Sequence, residues 1–318
     1  MRISGVTYIP RNNHKVRRTV IVVFILILAL LIFTAVTSII TANKITHPKK
    51  VQIPLFESYI VPDYKDISFS DINNDIKLKG WFFESKGSDK TVIFAHSQGR
   101  NRLQFGIKTL DMVKNLMNSG YNVLMFDFRN SGESEGSIST FGQKEKDDIL
   151  GAVKYTKSTG TKHIILFGFG EGANAGILAA SASNDIETLI LDAPYTDLNT
   201  YLNKVISENS KLPKLPFNKT TKLAANLLYG IDLSMPGPSA AIEELASRPI
   251  LFIYSIDDKK VTAEQSKELY KSYSASSSKG TFWETSGSGH LQIYDNYKEN
   301  YISSVQEFLT NIYKTTKK

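Results

Sequence analysis

The chain has 318 residues, enough for one large α/β domain and an appended segment. Its net charge of +7 comes from the N-terminus, because residues 1–50 contain eight Lys and Arg and no acidic residue, which leaves a net charge of −1 on the remainder. A nearly neutral folded part excludes the electrostatic basis for nucleic-acid binding, so we expect no nucleic-acid partner.

The side chains that commonly hold metals are scarce. The chain has no cysteine, which excludes disulfides, thiolate nucleophiles and cysteine-bound zinc. Its five histidines are scattered, with no pair at the spacing of metal ligands. We therefore expect no metal centre.

The first predicted element is a transmembrane helix. Residues 20–40 contain no charge, and 21 residues at about 1.5 Å each span a hydrocarbon core of roughly 30 Å. Basic residues precede this run, which predicts a cytoplasmic tail (1–18), a signal-anchor helix (19–42), a linker (43–63) and an extracellular domain of a bacterial membrane protein. Lys44, Lys49 and Lys50 oppose this topology. A cleaved signal peptide is the alternative, but its apolar region is normally shorter.

The rest of the chain predicts a mostly parallel sheet covered by helices on both faces. A hairpin is expected at 66–71 and 76–85, followed by apolar strands at 91–96, 122–128, 163–169, 188–193 and 249–255, with a further strand at 280–285. Helical patterns lie at about 102–118, 143–158, 171–183, 263–274 and 294–314. Residues 195–248 contain no convincing strand, and an insert of that size is either a lid over a substrate pocket or a structural addition.

Five segments, in this order, resemble the α/β-hydrolases. FAHSQGRNR (94–102) resembles the His-Gly loop of that family, and FDFRNSGESEG (126–136) resembles its D-x-R-G-x-G-x-S turn. LFGFGEGA (166–173) resembles the nucleophile elbow, YSIDDKKVT (254–262) the acid turn, and GSGHLQIY (287–294) the histidine turn. The resemblance is closest to bacterial membrane-associated, serine-peptidase-like and esterase-like hydrolases. It implies an α/β-hydrolase domain over residues 64–318, with 195–248 as its lid.

The resemblance also implies a catalytic triad in the order nucleophile, acid, histidine. His290 takes the histidine position, and Asp258 takes the acid position because DKKVT matches the family pattern D-x-x-V-P, with Asp257 as a turn residue. The nucleophile position holds Gly170, since the elbow pattern G-x-S-x-G is here Gly-Phe-Gly-Glu-Gly. Removing a triad serine typically costs on the order of 10⁶ in turnover.

Backbone N–H groups form the oxyanion hole in this family, and they correspond to those of Gln98 and Glu171. Ser97 replaces the usual glycine after His96. Ser97, Ser131 and Ser134 are possible substitute nucleophiles, although none of them occupies an elbow. A water molecule activated by His290 is a further, slower alternative.

Three functions follow from this pattern. The first is a membrane-anchored hydrolase-fold protein without serine catalysis, which binds an ester, peptide or lipid-like ligand or a partner. The second is a working hydrolase of ester or peptide bonds that uses Asp258 and His290 with a relocated nucleophile. The third is a structural protein of the cell envelope. No cofactor is expected, because the Gly-x-Gly-x-Gly spacing at 168–172 follows the third long strand rather than the first.

Overall fold

The computed structural model describes residues 14–57 and 60–313. Ten helices and nine strands are assigned within these ranges, and their bounds are α1 His14–Thr46, β1 Lys65–Ser70, β2 Lys77–Phe83, β3 Lys90–Ala95, β4 Gln104–Ile107, α2 Thr109–Asn118, β5 Asn122–Phe126, α3 Glu145–Ser158, β6 His163–Phe169, α4 Glu171–Ala182, β7 Ile186–Asp192, α5 Leu198–Ser210, α6 Lys214–Tyr229, α7 Pro238–Glu243, β8 Ile250–Ser255, α8 Ala263–Ser274, β9 Gly280–Thr285, α9 Ile293–Asn296 and α10 Lys298–Ile312.

The core of the molecule is an eight-stranded sheet of order β1-β2-β5-β3-β6-β7-β8-β9. The first hairpin is antiparallel and β2 pairs antiparallel with β5, while every pairing from β5 through β3 to β9 is parallel. The central strands are buried on both faces, as their continuous apolar runs predicted. One apolar cluster includes residues of α3, α4, α7 and α8, and a second on the opposite face includes residues of α2 and α10.

Two of the predicted helices differ from the structure. Residues 102–107 are not helical: the Arg102 guanidinium is drawn to buried Asp127, 2.6 Å away, and Gly106 has a φ of +62°. The helix therefore begins at Thr109. The helix predicted at 294–314 is divided into α9 and α10 around Tyr297, whose φ of −135° is not helical.

Helix α1 is longer than the predicted anchor. It continues through 43–46, which the sequence assigned to the linker, and it is the one helix of the described ranges with the length and hydropathy to cross a membrane. From Thr34 to its end at Thr46, one face of α1 is buried against the domain. That face packs against α5 and α6, which together with α7 make up the strandless insert 195–248. Most of the predicted tail 1–18 lies outside the described residues.

Residues 47–57 run along the domain. The Asn101 side chain donates hydrogen bonds to the carbonyl oxygens of Val51 and Gln52, both at 3.1 Å, and Lys50 donates to the carbonyl of Ser134. The carboxyl ends of β3, β6, β7, β8 and β9 meet at one edge of the sheet, where loops of a parallel sheet form binding sites. The insert and the end of α1 lie at this edge.

Candidate active site

A sharp turn joins β6 to α4 at Gly170. Gly170 has φ +54° and ψ −114°, a conformation that side-chain-bearing residues rarely adopt, and its N–H donates to the Asp192 carbonyl at 2.8 Å. The flanking glycines permit close packing: a β-carbon on Gly168 would lie 2.4 Å from the α-carbon of Ala173, and one on Gly172 would lie 2.1 Å from the Ala95 carbonyl oxygen. The sequence thus folds into the geometry of a nucleophile elbow.

The acid and histidine turns bring Asp258 and His290 into contact. Nδ1 of His290 lies 2.7 Å from Oδ2 of Asp258, and the side chains are 17% and 3% exposed. Oδ1 of Asp258 accepts backbone N–H bonds from Lys260 and Val261, which fix the carboxylate. Because the carboxylate can only accept, Nδ1 carries the proton and Nε2 presents its lone pair. Asp257 instead accepts the Gly287 N–H at 2.6 Å.

The lone pair of His290 faces position 170. A β-carbon built on Gly170 would lie 3.6 Å from Nε2 of His290, 3.5 Å from Cβ of Ser97 and 3.4 Å from Cδ1 of Leu291. Nε2 is buried and has no hydrogen-bond partner among the described residues. The structure therefore brings the three predicted triad positions together, with a hydrogen-bond acceptor aimed at the glycine.

The predicted oxyanion hole contains a carboxylate. The Gln98 N–H donates to Oε2 of Glu171 at 3.2 Å, and the Tyr201 hydroxyl donates to Oε1. Burial works against the charge of Glu171, but Lys260 at 3.7 Å, the Tyr201 hydroxyl and the Glu171 N–H itself together hold the pKa of this carboxyl below its ordinary value. The Gln98 N–H is thus occupied by the Glu171 carboxylate in this structure, and the assignment of Gln98 and Glu171 to an oxyanion hole stays a prediction.

His96 positions the loop that carries Gln98. Its Nδ1 bonds the Ser97 carbonyl at 2.8 Å, and its Nε2 accepts the Phe128 N–H at 3.0 Å. Burial lowers the pKa of this imidazole, so it is neutral and can both donate and accept. The Ser97 N–H donates to the Gln104 side chain at 2.7 Å, which fixes the loop from the other side.

The three candidate serines differ in position. Ser97 lies beside the elbow, 3.5 Å from the built β-carbon at 170. Ser134 has a structural role, since its hydroxyl donates to the Asp127 carbonyl and accepts the Lys79 N–H. Ser131 lies in the turn after β5, where its N–H donates to the Phe128 carbonyl. Ser97 is thus the candidate serine that the structure places next to the elbow.

Sequence reasoning missed three groups of the site. Tyr201 lies in the insert, which carries no motif, and Lys260 lies in the acid turn without being singled out. Asp192 ends β7 behind the elbow, where one oxygen accepts the Tyr301 hydroxyl at 2.7 Å and the other has no hydrogen-bond partner within residues 14–57 and 60–313. Burial raises the pKa of Asp192 to about 7, against the opposing effects of Tyr301 and His290. A charged residue at the end of a buried apolar strand was the available signal.

The end of α1 covers this edge of the sheet. The Ile45 carbonyl accepts a hydrogen bond from the Gln98 side chain at 3.2 Å, and the Thr46 carbonyl accepts the Ser139 N–H at 2.8 Å. Ala42 and Ile45 pack in an apolar cluster with Tyr201 of the insert. Across 14–57 and 60–313, no group of three or more His, Asp or Glu side chains is placed to hold a metal ion.

Comparison with known proteins identifies related chains. An uncharacterized Bacillus subtilis protein, YqkD, is 28% identical over 244 residues, covering 75% of this chain and 77% of YqkD. The Arabidopsis thaliana alpha/beta hydrolase domain-containing protein WAV2 is 25% identical and covers 82% of this chain and 86% of its own. Human protein ABHD12B is 25% identical, with 60% of this chain and 52% of its own covered. No protein-family model matches the sequence.

Solved structures of other proteins share the fold of this chain. The esterase Pf2001 of Pyrococcus furiosus superposes with a TM-score of 0.69 and 27% sequence identity, covering 84% of this chain and 97% of the esterase. Est1E of Butyrivibrio proteoclasticus, solved with bound ferulic acid, shares the fold at 18% identity and a TM-score of 0.56, covering 76% of this chain and 98% of Est1E. The eight-stranded, mostly parallel sheet and its elbow are those of the α/β-hydrolase fold.

Proposed function

From the α/β-hydrolase fold and its elbow, we propose that this chain is a membrane-anchored protein that binds an ester, peptide or lipid-like ligand without serine catalysis. The observation that carries the proposal is Nε2 of His290, which has no hydrogen-bond partner in the described part of the chain and faces Gly170, where a hydrolase of this type has its nucleophile. The base and acid are oriented as a triad requires, but no side-chain oxygen is available at the elbow.

The state of the oxyanion hole supports the same proposal. An oxyanion hole stabilises developing negative charge with free N–H donors. Here the Glu171 carboxylate takes the Gln98 N–H and already carries negative charge, as its lowered pKa indicates. The oxyanion of a tetrahedral intermediate would have to displace this carboxylate. The missing serine and the occupied oxyanion hole are thus two separate features that disfavour acyl transfer at this site.

The anchoring part of the proposal comes from α1. The uncharged run of 21 residues at 20–40 lies within this helix, and residues 14–33 of the helix are exposed, since burial begins at Thr34. We place the N-terminus in the cytoplasm and the domain outside the cell membrane, because basic residues at 11–18 precede the run.

The test compares the wild type with Gly170→Ser in detergent-solubilised full chain. A fluorophosphonate probe should label Gly170→Ser and leave the wild type unlabelled, and labelling should disappear in Gly170→Ser/His290→Ala. Binding is measured separately by titrating the wild type with a short-chain dialkyl ketone, which presents a carbonyl group but has no leaving group and cannot be hydrolysed. Labelling of the wild type at any serine would overturn the proposal of lost catalysis.

A second candidate function is favoured by the position of Ser97. Serine and glycine are exchanged relative to the family pattern: Ser97 stands for the glycine after His96, and Gly170 stands for the serine. Their β-carbon positions are only 3.5 Å apart. In this alternative, Ser97 Oγ attacks the acyl carbonyl while its proton moves to Nε2 of His290, the proton then passes to the leaving group, and water hydrolyses the acyl-enzyme.

This alternative is separated from the first by a single substitution. If Ser97 is the nucleophile, the wild type hydrolyses p-nitrophenyl butyrate, and Ser97→Ala abolishes both the turnover and fluorophosphonate labelling. Ser131→Ala is the matched control and should leave both unchanged. Mass spectrometry of the labelled chain then identifies the modified residue directly.

A further inference from the structure

The insert contains a two-helix hairpin whose tip carries a repeated basic and apolar pattern. From the end of α5 into the first residues of α6 the sequence reads KLPKLP, residues 211–216. Lys211 and Lys214 are exposed, and Leu215 is 68% exposed. We call residues 211–215 the hairpin tip. The lysines alternate with leucines, and no described part of the chain covers the apolar surface that Leu215 exposes to water.

Contacts between α6 and α1 show at which height along the axis of α1 this tip lies. Helix α6 runs alongside α1 in the same direction, because Phe217 packs on Phe33 with ring centroids 6.3 Å apart and Thr220 bonds Ser38 at 2.7 Å. At the other end of α6, the Tyr229 hydroxyl donates to Asn43. The Leu215 end of the hairpin tip therefore lies near the level of Phe33. The Lys211 end lies close to the C-terminal part of α1, because Lys44 donates a hydrogen bond to the Asn209 carbonyl at 3.2 Å.

That level falls inside the apolar run of α1. Phe33 precedes the end of the run at residue 40 by seven residues, or about 10 Å at 1.5 Å per residue. On the side of α1 away from the domain, Val36, Ile39 and Ile40 remain 44–61% exposed. If α1 crosses a bilayer, as the proposed function states, the Leu215 end of the tip reaches about 10 Å into the same leaflet, the deep end of the range for interfacial segments, while the Lys211 end stays near the headgroups.

We propose that the hairpin tip binds the surface of an anionic phospholipid bilayer beside α1. Leu215 enters the acyl-chain boundary, while Lys211 and Lys214 extend their ammonium groups to lipid phosphates, as lysines at interfaces do. A bilayer is the occupant favoured over a soluble partner because the exposed leucine continues the apolar surface of α1. The insert also supplies Tyr201 to the site, so this contact places the candidate active site close to the membrane.

The experiment uses single cysteines, since the natural chain has none. Leu215→Cys, Phe24→Cys and Ser278→Cys are each labelled with an environment-sensitive fluorophore in the full chain, reconstituted into vesicles of phosphatidylcholine alone or with about a quarter phosphatidylglycerol. Phe24 reports insertion of α1, and Ser278 is an exposed position at the opposite edge of the sheet. Quenching is measured with nitroxides placed near the headgroup end of the lipid acyl chains.

The label at 215 should be quenched at least roughly twofold more than the label at 278, and more strongly in anionic vesicles. Lys211→Gln/Lys214→Gln should reduce this quenching to the level in neutral vesicles, whereas Lys86→Gln/Lys271→Gln should not. Quenching at 24 without quenching at 215 would overturn the inference and leave the anchor intact. No quenching at 24 would overturn the anchor and this inference together. Equal quenching at 215 in both vesicle types would overturn the role of the lysines.

Discussion

Nε2 of His290 lies 3.6 Å from the point where a β-carbon on Gly170 would stand, so a side chain fits there without steric overlap. The obstacle to a serine at this position is the backbone conformation, because φ +54° is unfavourable for residues other than glycine. The elbow thus keeps the space for a nucleophile, and its glycine relieves strain that an elbow serine would introduce.

This relationship predicts a stability cost for refilling the elbow. Gly170→Ser and Gly170→Ala should each lower the free energy of unfolding by about 1–3 kcal/mol, since both introduce the same backbone strain. Gly172→Ala should cost more, because its β-carbon would lie 2.1 Å from the Ala95 carbonyl oxygen. Chemical denaturation of the three variants measures these differences. A Gly170→Ala variant less stable than Gly172→Ala would contradict the geometry.

A second prediction concerns Glu171 in the Gly170→Ser background. Glu171→Gln removes the charge and keeps a carbonyl that can accept the Gln98 N–H, whereas Glu171→Met removes both the charge and the acceptor. Since one oxyanion-hole donor is worth about 10²–10³ in turnover, we expect Gly170→Ser/Glu171→Met to exceed Gly170→Ser by at least tenfold in kcat for p-nitrophenyl butyrate. Gly170→Ser/Glu171→Gln should lie between them.

The control for this series is folding. Near-ultraviolet circular dichroism must be the same in the double variants and in Gly170→Ser, because Tyr201 and Lys260 lose their carboxylate partner. A folded Gly170→Ser/Glu171→Met no faster than Gly170→Ser would show that the carboxylate does not obstruct the oxyanion hole.

The sequence predicted those parts of the fold that depend on local patterns. Continuous apolar runs located the buried strands, because a parallel sheet covered on both faces leaves no polar side to the strand. The elbow and the two turns after β8 and β9 resemble motifs of the α/β-hydrolases, so Gly170, Asp258 and His290 could be named from that resemblance. The structure then places the three together.

The contacts of Glu171 could not be predicted in the same way. Its partner Tyr201 is separated from it by 30 residues and lies in an insert whose helical pattern carries no chemical motif. The start of α2 was missed for a similar reason: the helical spacing of 102–107 is overridden by a buried ion pair between Arg102 and Asp127. Both depend on tertiary contacts, which a local pattern does not encode.

A third prediction uses the raised pKa of Asp192. Its pKa moves from 3.8 to about 7 in the folded chain, so the folded state holds a proton that the unfolded state releases. The free energy of unfolding contributed by this group should therefore fall as the pH rises from about 4 to about 7. In Asp192→Asn this fall is absent. Between about pH 4 and about pH 7, the free energy of unfolding of the variant should therefore rise relative to that of the wild type by at most roughly 4 kcal/mol.

Urea denaturation at several pH values between roughly 4 and 8, a window set by these pKa values, measures the free energy of unfolding of the wild type and of Asp192→Asn. Asp185→Asn is the matched control, because the Asp185 side chain is 42% exposed and forms an ion pair with Lys157 at the surface. A constant difference between wild type and Asp192→Asn over this range would show that Asp192 titrates normally.

The last prediction separates the two neighbouring aspartates by their partners. Asp258 fixes the Nδ1–H tautomer of His290, and losing that function in a serine triad costs about 10⁴ in turnover. In the Gly170→Ser background, Asp258→Asn should therefore lower kcat by about 10³–10⁴, or to the detection limit. Asp257→Asn should lower it far less, because Asp257 bonds the Gly287 backbone and not the imidazole. Equal losses in the two variants, measured by ester hydrolysis and fluorophosphonate labelling rate, would show that the Asp258 contact to His290 does not orient the base.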